Sequence, residues 1–439
     1  MATSTASGRG SSVQADIPRN AVRWALVVLT AINLFNYLDR FFVSALVESL
    51  KKSELHLTDT QAGFLASGFI VVYMLTSPLF GALGDKGVRT RLIAIGVAAW
   101  SLATVLGGFA TGFISLFAAR SAVGVGEAAY GTISPSLIAD YFPKAKRGRV
   151  FAIFFAAIPI GAALGYIVGG FMDQHFGWRS AFFVAGAPGL VLAFLALRLP
   201  EPVRGAQDKG DDDAPTAASH TGIWSVLLTY WDLARNRQYA LTILGYAAYT
   251  FALGGLAFWM APFLQRVHGL SAAEATVQFG GIVVVTGFIG TFAGGWLGDY
   301  CLKYSRHAYL LVSGIATLLA APCAWLALSA STPALYYGGL IGAELLMFAS
   351  SGPVNSAIVN YVAPTQRASA VALSILMIHL LGDVPSPLLI GAISDHGGGT
   401  AASLQHAVLI VPVAILIGGI IWTAAALRGP LHAKTLPIT

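Results

Sequence analysis

The chain has 439 residues, of which 56% are hydrophobic and only 10% charged, with a formal net charge of +6. Soluble domains carry roughly 25% charged residues, and a soluble surface this apolar would aggregate, so the composition excludes an ordinary soluble enzyme or binding domain and requires lipid as the outer solvent. The basic excess sits in short loops between apolar runs, where it reads as topology control; no nucleic-acid partner is expected.

Met1 to Asn20 is polar and rich in Ser and Ala. No apolar core with a small-residue cleavage site precedes the first long helix, so a cleavable signal peptide is not expected. Crossing about 30 Å of hydrocarbon takes roughly 20 apolar residues in a helix. Twelve such runs are predicted, near 23–50, 60–83, 91–112, 114–139, 148–172, 178–198, 239–266, 273–298, 307–329, 334–361, 367–394 and 404–427. The break at 200–237 contains Pro200-Glu201-Pro202 and Asp211-Asp212-Asp213 and is too polar to span. The predicted organisation is a tail at 1–22, a six-helix bundle at 23–199, a linker at 200–237, a second bundle at 238–428 and a tail at 429–439. Of the 26 Lys and Arg, Arg40 and Arg120 fall inside spans, and Lys51, Lys52, Arg179 and Arg266 fall in loops on one side. That leaves 20 on the side of both termini and the linker, which the positive-inside rule places in the cytoplasm of a cell whose plasma, or inner, membrane holds the chain.

The first span carries Asn36-Tyr37-Leu38-Asp39-Arg40. A charged pair inside a span is expensive and by default marks function. The second span closes on Gly81-Ala82-Leu83-Gly84-Asp85-Lys86, followed by Arg89, and the eighth closes on Gly295-Trp296-Leu297-Gly298-Asp299. Arg147 opens the fifth span and Arg367 the eleventh, which end on Gly170–Asp173 and Gly391–Asp395. Two six-helix halves related by repetition are the signature of a rocking transporter, with the substrate between the halves near the bilayer midplane. In the fourth span Arg120 and Glu127 are seven apart and share a helix face, with Gly124 between them. At 1.5 Å per residue, Asp39 lies about 16 Å from the outer surface, Arg120 about 9 Å and Glu127 about 20 Å, so Asp39 is bracketed in depth by the other two. Two carboxylates and two arginines can therefore cluster, with Arg120 as the shared partner. The fifth span carries Pro159-Ile160-Gly161, Gly165, Gly169 and Gly170, a small-residue seam suited to tight packing.

Several readings stay open. Arg40 and Arg120 either bind an anionic headgroup or neutralise Asp39 and Glu127. His379 and Asp383, four apart in the eleventh span, are either a second titrating pair or a polar seam serving backbone freed by Pro385 and Pro387. Glu344 is an isolated carboxylate, either a protonation site or a pairing partner. Tyr246, Tyr249 and Trp259 are either packing residues or the aromatic wall of the substrate cavity, to which Asn36 and Tyr37 also belong. Cys301 and Cys323 show no metal or disulfide spacing.

The Gly81–Arg91 segment resembles the loop between helices 2 and 3 of the major facilitator superfamily. The resemblance implies an all-α membrane protein of twelve transmembrane helices in two pseudo-symmetric halves. It also implies a gate on the side of the termini built from Gly81, Gly84, Asp85, Lys86, Arg89, Arg147, Asp299 and Arg367. Arg120 with Gly126-Glu127-Ala128 resembles the helix 4 motif of proton-coupled facilitators. Together with Asn36–Arg40, Pro159-Ile160-Gly161, Pro200–Gly205 and His379-Leu380-Leu381-Gly382-Asp383-Val384-Pro385-Ser386-Pro387, the chain resembles the spinster family of lipid transporters. That resemblance implies a monomeric carrier without cofactor, with the proton as coupling ion. The expected partners are membrane lipids and a lysophospholipid- or sphingosine-phosphate-like substrate. The alternatives are a transporter of small organic anions or drugs and a non-transporting membrane receptor. No nucleotide-binding motif, Gly-x-Ser-x-Gly elbow or His-Glu-x-x-His is present, so neither ATP use nor hydrolysis is expected.

Overall fold

A computed structural model of the chain describes residues 17–205, 207, 223–363 and 366–428. Most of the predicted tails at 1–22 and 429–439 and the middle of the 200–237 linker lie outside the described residues.

The N-terminal half comprises α1 (Arg19–Lys52), α2 (Asp59–Lys86), α3 (Arg89–Gly107), α4 (Phe113–Tyr141), α5 (Lys144–Phe176) and α6 (Trp178–Leu197). A short amphipathic helix, α7 (Ile223–Arg235), occupies part of the predicted linker. At 13 residues it is too short to cross a bilayer, which is why a search for long apolar runs passes over it. The C-terminal half comprises α8 (Arg237–His268), α9 (Ala272–Cys301), α10 (Ala308–Ser329), α11 (Pro333–Asn360), α12 (Arg367–Ile378), α13 (Pro385–His396), α14 (Ala401–Val408) and α15 (Ile410–Leu427). Among the described residues ten helices are long and apolar enough, by length and composition, to cross a membrane. All twelve predicted spans are helical, but two are interrupted. The eleventh is split into α12 and α13 by a π-turn at His379–Asp383, and the twelfth breaks at Leu409. At the π-turn, the amide of Val384 donates to the His379 carbonyl at 3.1 Å, and Pro385 and Pro387 supply no amide for the next turn.

The repeat is visible in hydrogen bonding. Arg147 donates to the Ala139 carbonyl that ends α4, at 2.8 Å, and Arg367 donates to the Val359 carbonyl that ends α11, at 3.2 Å. Each arginine reaches back eight residues to satisfy carbonyls that a helix C-terminus leaves unpaired. At the opposite membrane side, α2 and α9 both begin with a capping box, Thr58 with Gln61 and Ser271 with Glu274.

Glycines set the approach of the helices. A Cβ at Gly161, Gly165 or Gly169 would meet the carbonyls of Leu34, Leu38 and Phe42 at 2.5, 2.6 and 2.9 Å, so the seam of α5 lies directly on α1. Gly124 does the same for α4 against the backbone of α2, 2.6 Å from the Phe69 carbonyl.

The hydrogen bonds and ion pairs that join the two halves cluster on the side away from the termini, here called the far side. Ser44 donates to the Phe258 carbonyl at 2.6 Å, Ser67 to that of Val384 at 2.5 Å, and Tyr166 to that of Ala257 at 2.5 Å. Gly63 lies against the backbone of Pro387 and Leu388, and Gly170 against Ala272 and Thr276. The halves meet at the far side, so the cavity between them opens toward the side of the termini.

Candidate functional site

The four predicted membrane charges do come together, but in a crossed arrangement. Arg120 donates to Asp39 Oδ1 at 3.2 Å, and Arg40 Nε donates to Glu127 Oε2 at 2.7 Å. Arg120 is therefore not the shared partner expected from the helix 4 spacing. Each arginine pairs with a carboxylate on the other helix, because Asp39 and Arg40 are consecutive and point to different faces of α1. Asp39 is fully engaged: Thr104 donates to its second oxygen at 2.7 Å. Glu127 is not, since its Oε1 is buried with no protein partner, as are Arg120 Nε and Asn36 Nδ2. Asp39, Glu127 and Arg120 are at most 2% exposed, whereas the Arg40 side chain is 21% exposed.

Aromatic rings hold both guanidiniums. Arg40 lies over Tyr37, Phe69 and Tyr73 at 5.0, 5.3 and 4.8 Å from the ring centroids, and Arg120 lies over Phe42 and Phe69 at 5.7 and 5.4 Å. Phe69 is shared by the two cations. Desolvated stacking of this kind contributes up to about 2 kcal/mol per pair. Sequence reading missed Phe69, Tyr73 and Thr104, which carry no signal of their own in an aromatic, β-branched membrane helix.

This cluster borders a cavity with two lobes. The first has a volume of about 190 Å³ and is lined by Tyr37, Arg40, Arg120, His379, Asp383 and neighbouring apolar side chains. His379 Nδ1 sits 2.9 and 3.0 Å from the two Asp383 oxygens, so this pair faces the cavity while satisfying itself. The second lobe has a volume of about 530 Å³ and shares Tyr37, Phe41, Thr250, Leu253 and Ala257 with the first, so the two are continuous. It is lined by Tyr37, Tyr166, Tyr246, Tyr249, Phe279, Phe348 and Glu344 among others.

Two predicted cavity residues are elsewhere. Trp259 is 1% exposed in the core of the C-terminal half and donates its indole N–H to the Pro387 carbonyl at 2.9 Å, bracing the proline-interrupted helix. Asn36 is 3% exposed beneath the charge cluster and does not line either lobe.

The predicted gate residues divide. Arg89 is buried and stays within its own half, bonded to Asp140 at 2.5 Å, to Glu201 at 2.8 Å and to the Pro202 carbonyl at 2.9 Å. It ties the segment after α6 to α3 and α4. Among the described residues Asp85 and Lys86 are exposed, and Asp85 makes no hydrogen bond or ion pair. Asp299 accepts from the Tyr309 hydroxyl at 2.7 Å. Gly84 packs on Ile133 and Gly298 on Tyr309, whereas a Cβ at Gly81 would meet only Thr132 at 3.6 Å. Arg147 and Arg367 cap helices, as above.

A lock the sequence did not disclose lies at the far side. Arg266 of α8 grips both Glu48 of α1 and Asp59 of α2, with Nη1 to Asp59 Oδ2 at 2.7 Å and Nε to Glu48 Oε1 at 2.9 Å. Lys51 and Ser394 also bind Asp59, and Asp395 accepts the amides of Asp59 and Thr60 at 3.0 and 2.7 Å, capping α2 from the other half. In the sequence Arg266 reads as one loop cation among four; only the tertiary fold shows what it meets.

Two halves of repeated helices closing on one side over a central polar cluster define a membrane transporter, and the Major Facilitator Superfamily profile matches residues 29–384. The chain belongs to the spinster family of that superfamily: it is 34% identical over 429 residues to protein spinster homolog 3 of Danio rerio, covering 92% of this chain and 84% of that one. Protein spinster homolog 1 of Homo sapiens is 37% identical over 392 residues, covering 84% and 72%. The fold superposes with a TM-score of 0.83 on the crystal structure of a bacterial homolog to the human lysosomal transporter spinster in an inward-facing, unoccupied conformation, at 24% identity over 93% of this chain and 98% of that one.

Proposed function

We propose that this chain is a proton-coupled, alternating-access transporter of an amphipathic anionic lipid of the lysophospholipid or sphingosine-phosphate type. It acts as a monomer in the plasma or inner membrane with its termini in the cytoplasm. In that orientation the present conformation is inward-open. The observation that supports the reading best is the crossed, buried quartet Asp39–Arg120 and Arg40–Glu127 at the edge of a large cavity with a mostly aromatic and aliphatic wall. Buried charges are retained at such cost where they switch. A carboxylate that exchanges its arginine for a proton as the halves rock links protonation to access, and the linkage is reciprocal. The aromatic lobe suits lipid better than a sugar.

The test is flux into proteoliposomes under an imposed pH gradient, with lysolipids and small organic anions offered in parallel. Long-chain lysolipids should be carried and should compete with one another, and short polar anions should not compete. A profile led by dicarboxylates or sugars would overturn the lipid assignment.

The gate gives a separate prediction. Asp85 has no partner among the described residues in the inward-open state, and closure on the side of the termini should give it one. Asp85→Asn is then expected to shift the population toward the inward-open state. Spin labels on the α2–α3 and α9–α10 loops would report it, and distance distributions unchanged at every pH would count against the gate.

A further inference from the structure

We infer that the groove between α8 and α15, on the side of the termini, binds an anionic phospholipid of the surrounding leaflet. This site is separate from the central cavity and does not depend on the function proposed above.

The groove has a volume of about 610 Å³. Ile420 in its wall is 52% exposed, so the groove opens on the outer, lipid-facing surface of the bundle. Two arginines line it: Arg237, the first residue of α8, and Arg428, which follows the last residue of α15. Both are exposed, and neither has a carboxylate partner among the described residues. No Asp or Glu lines the groove. The neighbouring amides are already committed. Asn236 donates to the Tyr361 carbonyl at 2.8 Å and accepts from the Tyr239 amide at 3.2 Å, and Gln238 donates to the Ala425 carbonyl at 2.9 Å. One turn deeper, the Trp422 indole donates to the Thr242 carbonyl at 2.9 Å. The packing of α8 on α15 therefore sets the separation of the two guanidiniums, which spend nothing on each other's neighbours.

Cations at the ends of spans ordinarily only set topology. Here an apolar wall begins directly beneath them. At 1.5 Å per residue, Leu241 lies about 6 Å deeper along α8 than Arg237, and Ala424 and Ile420 lie about 6 and 12 Å deeper along α15 than Arg428. Charge at the rim and hydrocarbon below is the profile of one phospholipid, phosphate first and then the start of a chain. The preceding helix marks the depth independently. On α7, Leu228 and Trp231 are 64% and 59% exposed, and the Arg235 guanidinium lies 5.2 Å from the Trp231 ring centroid. Exposed tryptophan beside a cation is the pattern of the headgroup layer. Basic pockets between helix ends attract anionic headgroups at that level. A free phosphate would leave the apolar wall bare, and a zwitterionic lipid would bring an ammonium toward two unpaired arginines. The chemistry that fits is a phospholipid of net negative charge.

The experiment uses phosphatidylglycerol with a photoreactive acyl chain, added to the purified full-length protein in neutral detergent. The readout is labelling of α15 around Ile420, because α15 lines neither lobe of the central cavity and lipid held there is not counted. Unlabelled phosphatidylglycerol should compete at least tenfold better than phosphatidylcholine of the same chains. The double variant Arg237→Gln, Arg428→Gln should lower the apparent affinity for phosphatidylglycerol by about thirtyfold and that for phosphatidylcholine by less than about twofold. Ala424→Phe keeps both arginines and fills the groove, so its labelling should also fall. The control Arg19→Gln, Arg23→Gln removes two exposed cations from α1, on the same membrane side but in the other half, and should label as wild type does. Unchanged labelling in the groove variants, or an equal loss in the α1 control, would overturn the site. Should the groove variants fail to fold, wild type alone decides: absence of label on α15, or equal competition by the two lipids, overturns the inference, and selective competition by phosphatidylglycerol supports it.

Discussion

Replacing Glu127 by Gln is expected to lower proton-driven lysolipid uptake to the level of protein-free vesicles, while exchange without a gradient persists. The two carboxylates of the quartet are not equivalent. Asp39 has one oxygen on Arg120 and the other on the Thr104 hydroxyl, with its helix buried around it. Glu127 has one oxygen on Arg40 and the other on no protein atom. Arg40 reaches the cavity surface, where the anionic headgroup of the proposed substrate would compete with Glu127 for it. A buried carboxylate deprived of its cation costs several kcal/mol unless a proton neutralises it, and Oε1 is free to receive one. Glutamine keeps the shape and an acceptor for Arg40 and removes the titration. Asp39→Asn should behave differently. It leaves Arg120 buried without a counter-charge, a change that typically costs about 3–5 kcal/mol, so stability in detergent should fall more than the pH response. Distances between the halves, measured against pH for wild type, both single variants and the double variant, separate the roles. If Glu127→Gln shifts with the wild-type midpoint, the proton is carried elsewhere, and the facing pair His379–Asp383 is the next candidate.

Much of this was legible from the chain because membrane folding leaves a coarse record. Spans of about 20 apolar residues, basic loops and a repeat at fixed offset locate twelve helices to within a few residues, since the bilayer enforces their length. The buried charges stand out for the same reason: Asp39, Arg40, Arg120 and Glu127 are conspicuous against an apolar background. What spacing could not supply was pairing across helices. That Arg120 and Glu127 share a face of α4 says nothing of which one meets Asp39, because this depends on the rotation of α1 about its own axis. That rotation is set by Leu34, Leu38 and Phe42 lying on the glycine seam of α5. Trp259 illustrates the converse failure. An aromatic on a cavity-lining helix faces the cavity only on one stripe, and its indole is turned instead onto the Pro387 carbonyl beside the proline-interrupted turn. The π-turn itself followed from Pro385 and Pro387 only in hindsight, since proline kinks and π-bulges share that signature.

The far-side lock carries the other large effect. Arg266→Gln is expected to move the resting conformation from closed to open on the far side, by about two to three orders of magnitude in the equilibrium constant. Arg266 is the only described cation that joins both Glu48 and Asp59 across the halves, and its side chain is 9% exposed. Without it, Glu48 faces the other half with no described cation of its own, while Asp59 retains Lys51 and Ser394. Each half keeps its own core, so the cost falls on the closed arrangement and not on folding; in the open arrangement the freed carboxylates are hydrated. The triple change Glu48→Gln, Asp59→Asn, Arg266→Gln removes the charges together and should recover much of the closure, because a neutral contact avoids stranding a buried charge. Spin labels at Ser53 and Leu270, with Cys301 and Cys323 replaced by Ser, report the distance directly. The single variant should show a longer, broader distribution than wild type, and the triple variant an intermediate one. If Arg266→Gln keeps the wild-type distance, the halves are held instead by the glycine contacts of Gly63 and Gly170, and the charges only set register.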